Sequence, residues 1–144
     1  MNTITDTLQP NPATPTSASP SQDAAALVGR LLLASLFILA GVNKIGAAEG
    51  TIGYIASVGL PLAEPIYYAT LALEILGGLM LLVGYKARYA AAALGVFSIA
   101  AAALFHADFA DQNQMTSFLK NLSVAGGMFV VAAFGPGRFS LDRG

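Results

Sequence analysis

Four uninterrupted apolar runs, at residues 24–45, 65–84, 87–105 and 118–134, decide what this chain can become. Each has about the 17–25 residues that a helix needs to cross the hydrocarbon of a bilayer. They are apolar on every side, whereas a water-facing helix keeps a polar stripe, so a soluble bundle is disfavoured. Runs such as 31–42 also lack the alternation of apolar and polar positions that a membrane β-barrel requires. With 56% of its 144 residues hydrophobic and only 10% charged, the chain carries more apolar surface than one small soluble core can hide. Its mean hydropathy of +0.66 points the same way. The expected fold is an all-α membrane protein, a four-transmembrane-helix bundle.

Residues 1–23 are rich in Thr, Ser, Pro and Asn and read as a disordered tail, residues 24–138 as the transmembrane domain, and residues 139–144 as a second, short tail. The first tail has neither the positive nor the apolar region of a secretory signal, so the first run is expected to stay as an anchor, capped by Ser21 or Asp23. Gly46, Gly84 and Gly135-Pro136-Gly137 are stop signals. The first loop is expected to hold a short interfacial helix over 51–60. Four spans place both termini on one side. Arg30, Lys86, Arg88, Arg138 and Arg143 share that side and only Lys44 and Lys120 lie opposite, so the positive-inside rule makes both tails cytoplasmic.

Charge and residue inventory remove several functions. A net charge of −1 without a basic cluster excludes a nucleic-acid binder. No cysteine means no disulfide, no thiolate metal site and no thiol relay within the chain. His106 is the sole histidine, so no bound transition metal is expected, and no haem-ligand pair or flavin fingerprint is present to carry electrons. No intrinsic cofactor is therefore expected.

On the first helix Arg30, Phe37, Gly41 and Lys44 follow one another at steps of seven, four and three, which places them on one stripe facing the bundle. The two cations lie about 21 Å apart along the axis, near opposite edges of the hydrocarbon. Glu74 falls almost at the middle of the second span, where burying a carboxylate costs about 3 kcal/mol on insertion scales. Nine Leu, Ile and Val residues of the same span return roughly 3–5 kcal/mol, so the helix inserts despite it. Glu74 is then either a neutral acid that can pass protons or donate to a carbonyl, or the ion-pair partner of Arg30 or Lys44.

A polar vestibule is expected at the outer ends of the helices, from His106, Asp108, Asp111, Gln112, Asn113, Lys120 and Asn121 with Asn43 and Lys44. The ligand or proton-path candidates are thus Glu74, Arg30, Lys44, His106, Lys120 and Asn121. Gly41, Gly77, Gly78, Gly126 and Gly127 are expected at close helix contacts, as is the small pair Ala91 and Gly95.

Several motifs run in a characteristic order. They are Arg30, Phe37, Ala40-Gly41 and Lys44; Tyr54-Ile55 with Gly59-Leu60-Pro61; and Leu73-Glu74-Ile75-Leu76-Gly77-Gly78. Asp111-Gln112-Asn113-Gln114-Met115, Phe118-Leu119-Lys120-Asn121-Leu122, Gly126-Gly127 and residues 135–142 complete the series. In these the chain resembles the DoxX family of small bacterial membrane proteins, over residues 27–142. The resemblance implies a four-helix protein of the bacterial inner membrane. It also implies association with redox systems, since relatives are tied to quinol oxidase, to thiosulfate-to-quinone electron transfer and to thiol- and superoxide-handling partners.

The function expected is an accessory component of a membrane redox system, not an autonomous enzyme, holding a quinone-like or other lipophilic molecule near Glu74, Arg30 and Lys44. Membrane lipid and a quinone-linked redox protein are the expected partners. Two other roles fit the same residues: a structural or assembly protein that recruits a partner while Glu74 acts as internal glue, and a small lipid- or solute-handling protein.

Overall fold

A computed structural model describes residues 19–142, and these are mostly helical, with no strand among them. Expectations for residues 1–18 and for Arg143 lie outside the described residues. Five helices follow in order: α1 (Pro20–Gly46), α2 (Ala48–Ser57), α3 (Ala63–Val83), α4 (Ala87–Phe105) and α5 (Gln112–Phe134). All but α2 are long and apolar enough to cross a membrane.

The boundaries have local causes. α1 begins four residues before the expected span, because Ser19 and Gln22 form a reciprocal capping box around Pro20 in the first turn. Residues 20–23 are therefore helix and not tail, and the cap is Ser19, in place of Ser21 or Asp23. α5 starts six residues before its apolar run, since Asp111 accepts from the backbone N–H groups of Asn113 and Gln114. α3 ends in a Schellman turn: Gly84, at φ +70°, donates to Leu81 O and Tyr85 donates to Met80 O. The short helix of the first loop is α2, set three residues earlier than the 51–60 expected.

α1 packs chiefly on α3 and α4 on α5, while α3 against α4 joins the two pairs and α1 barely touches α5. Small residues set these approaches. At Gly41 an added Cβ would lie 2.6 Å from Ile75, at Gly78 2.8 Å from Ile38, at Gly77 3.1 Å from Leu94 and at Gly95 2.9 Å from Phe129. Gly127 meets only Leu33, at an ordinary 3.6 Å, and Gly126 faces open space. The close contact expected at Gly126 is not made, because α5 turns that face away from its neighbours. The core is Ala34, Phe37, Leu81, Ala87, Ala90, Ala91, Leu94 and Met128. Leu32, Leu39, Leu76 and Val96 remain largely exposed around the outside, the surface that lipid covers.

The segment after residue 138, expected as a short tail, folds back across the end of the bundle where both termini lie. Leu141 and Asp142 donate backbone N–H groups to Val83 O and Gly84 O. The Asp142 carboxylate accepts from Lys86 N and Ala87 N, each at 2.8 Å, and so caps α4 from 55 residues away in sequence.

Candidate functional site

The stripe of α1 does face inward: Arg30, Phe37 and Gly41 are buried and Lys44 is partly so. Its two cations serve opposite ends of the bundle. In an α-helix each Cα–Cβ bond leans toward the N-terminus, so Lys44, near the C-terminal end of α1, is directed back along its own helix. One turn down lies Gly41, which has no side chain and whose Cβ position is 3.6 Å from the Cβ of Glu74. Lys44 Nζ donates to Glu74 Oε1 at 2.9 Å, forming the one ion pair among the described residues. Glu74 has 4% of its side chain accessible against 27% for Lys44, and its second oxygen, Oε2, has no hydrogen-bond partner.

Arg30 is not part of this group. The same lean carries its side chain toward the termini, where Nη2 donates to Phe139 O and Nη1 lies against Gly84. Of the two cations weighed for Glu74, Lys44 is the partner.

Above the ion pair lies a cavity of about 380 Å³. Its walls include Leu36, Phe37, Ala40, Phe97 and Phe105, and its polar groups are Lys44, Glu74, Thr70, His106, Lys120 and Asn121. Five of the six ligand candidates therefore share one chamber. His106 is half-buried, and its Nδ1 shares a hydrogen bond of 2.8 Å with Gln114 Oε1. Asn43, Asp108, Asp111, Gln112 and Asn113 are exposed and do not line the chamber. Asp111 and Asp108 are occupied instead with backbone N–H groups of their own loop.

Helix α2 roofs the chamber through Thr51, Tyr54 and Ile55, residues whose spacing puts them on one helical face. Tyr54 Oη donates to Phe105 O at 2.9 Å, and the Tyr54 and Phe105 rings are 5.4 Å apart. Tyr67, buried on α3, donates to Lys44 O at 3.1 Å and fixes the end of α1. These side chains were not among the expected site residues, although the Thr51, Tyr54, Ile55 spacing is a legible sign of a helix face turned to something.

The family model described as DoxX matches residues 25–107. The chain is 38% identical over 123 residues to the Escherichia coli inner membrane protein YqjF, covering 85% of this chain and 92% of that protein. It is 29% identical over 123 residues to the Escherichia coli inner membrane protein YphA, covering 81% and 87% respectively. No solved structure is significantly similar to it.

Proposed function

The chain belongs to the DoxX family and is a multi-pass inner-membrane protein, and from that premise we propose that its bundle holds a lipophilic, quinone-like molecule as an accessory component of a membrane redox system. The observation that carries this reading is Glu74 Oε2, a buried acceptor without a donor at the floor of a largely apolar chamber. Such an atom forfeits the hydrogen bond it would have in water, a loss of about 1–3 kcal/mol that a ligand hydroxyl can restore. Beside it Lys44 Nζ has three donors and spends one on Glu74. A quinone carbonyl can accept from Lys44, and a quinol hydroxyl can donate to Glu74, so both redox forms find a partner. Phe37, Phe97 and Phe105 supply flat apolar walls for a ring. The volume is at the lower end of the roughly 300–1,000 Å³ of small-molecule sites, suited to a ring with its tail running out between helices.

Nothing in this arrangement moves electrons by itself, so a quinone-linked redox protein is part of the proposal. The test is binding by the purified chain in lipid nanodiscs, followed by thermal unfolding with decylubiquinone and with its quinol. At a hundredfold excess over the dissociation constant the ligand should add about 2.7 kcal/mol of stability. Lys44→Met should weaken the quinone more than the quinol. If neither form shifts unfolding, and protein extracted gently from native membranes carries no stoichiometric lipophile, the proposal fails.

A further inference from the structure

The weak seam between α1 and α5 opens sideways as a groove of about 420 Å³ whose walls are apolar apart from Arg30. Gly29 and Gly127 leave it without side chains along its floor. At Phe134 and Gly135 it shares its wall with a wider polar recess of about 910 Å³ at the end of the bundle where the termini meet. That recess presents Lys86, Arg88 and Arg138 against two carboxylates, Asp23 and Asp142.

Both carboxylates are engaged by backbone N–H groups, Asp23 by that of Arg138 and Asp142 by those of Lys86 and Ala87. Among the described residues none of the three basic side chains is in an ion pair, although Arg88 Nη1 donates to Ala132 O and Ala133 O at the end of α5. Arg30, which lines the groove and not the recess, is only 2% exposed with its Nη1 against Gly84, and adds one more buried positive charge near this end of the bundle. Tyr89, 78% exposed on the recess wall, is the residue type that collects at the level of lipid headgroups.

We propose that this seam is a binding site for one anionic phospholipid, its acyl chain lying in the groove between α1 and α5 and its phosphate held by Lys86, Arg88 and Arg138. The site is independent of the chamber at Glu74, and neither proposal rests on the other. An acyl chain fills the gap that Gly29 and Gly127 leave beside Leu33. The phosphate balances the positive charge that Lys86, Arg88 and Arg138 leave without an ion-pair partner among the described residues.

The experiment uses the full chain, delipidated in a neutral maltoside detergent, with lipid retention read by native mass spectrometry and stability by thermal unfolding. The probes are dioleoyl phosphatidylglycerol, dioleoyl phosphatidylcholine with the same tails, and glycerol phosphate with no tail. Phosphatidylglycerol should be retained at one per chain and raise the unfolding temperature well above phosphatidylcholine, and glycerol phosphate should do neither. Removing a surface cation weakens an anionic lipid by about fivefold, so Lys86→Gln with Arg138→Gln should cut the preference roughly 25-fold. Gly127→Leu, at a position where an added Cβ meets only Leu33 at an ordinary 3.6 Å, should fill the groove and expel both lipids while the chain still folds. Equal retention of the two lipids, a preference unchanged in the double variant, binding of glycerol phosphate as tight as that of the lipid, or a lipid-free dimer dissolved by Gly127→Leu would overturn the proposal.

Discussion

Lys44 could have reached the headgroups by extending its stem outward, as lysines near helix ends do. It turns inward because a carboxylate waits there. Two unit charges 4 Å apart attract by about 4 kcal/mol at an effective dielectric of 20, enough to offset the roughly 3 kcal/mol of burying Glu74. Breaking such a pair from one side leaves a stranded charge, which costs more than removing both. Lys44→Met should therefore lower stability by about 3 kcal/mol, near the bottom of the range for buried pairs because Lys44 is partly accessible. Adding Glu74→Leu should recover most of that loss, and thermal unfolding of the single and double variants in detergent measures it. A double variant whose loss equals the sum of the losses from Lys44→Met and Glu74→Leu measured singly would mean that no coupling exists. The same double variant separates a working site from glue: if Glu74 only fastens α1 to α3, it should keep the cellular phenotype at normal abundance. The stripe from Arg30 to Lys44 was legible in the sequence because helical periodicity alone puts those positions on one face. Which cation meets Glu74 was not, since that depends on how α3 lies against α1, where Gly41 admits Ile75 and brings Glu74 to the level of Lys44.

Helix ends tell a similar story one level up. α3 and α4 could be bounded closely from sequence, for Gly84 stops one helix and the next apolar run starts at once. α1 and α5 extend beyond their apolar runs into polar residues, where hydropathy is silent and caps decide; the Ser19-to-Gln22 box is present in the sequence, two and four residues before the Ser21 and Asp23 that the start of the apolar run favours. What caps the start of α4, however, could not be read locally. Lys86 there has φ +45°, a left-handed conformation that disfavours a side chain, and no local group caps the helix. The cap is Asp142, which arrives from the far end of the chain and accepts from two of the first N–H groups of α4. Asp142→Ala should accordingly cost about 1–2 kcal/mol, as the loss of an N-cap carboxylate does. Hydrogen exchange should speed up at Lys86 and Ala87 while the middle of α4 stays protected. Unchanged exchange at those two amides would show that residues 139–142 do not hold the end of the helix.

Across the whole molecule the two ends of the bundle use their cations differently. At the end that carries the loops, Lys44 is turned into the ion pair and Lys120 borders the chamber. At the end that carries the termini, the side chains of Lys86, Arg88 and Arg138 all remain at the surface. Burial withdraws one cation from each end, Lys44 from one and Arg30 from the other, so the excess at the end of Lys86, Arg88 and Arg138 persists and bears on orientation through the positive-inside rule. The expected outcome is that the termini lie in the cytoplasm and α2 faces the other compartment. The chain has no cysteine, so single replacements can be labelled without background. In intact cells an impermeant maleimide should react at Asp108→Cys, in the exposed loop before α5, and should leave Ser17→Cys untouched until the membrane is opened. The reverse pattern would invert the molecule, placing the Glu74 chamber toward the cytoplasm and the basic recess away from it. Labelling of both sites in intact cells would be incompatible with four spans.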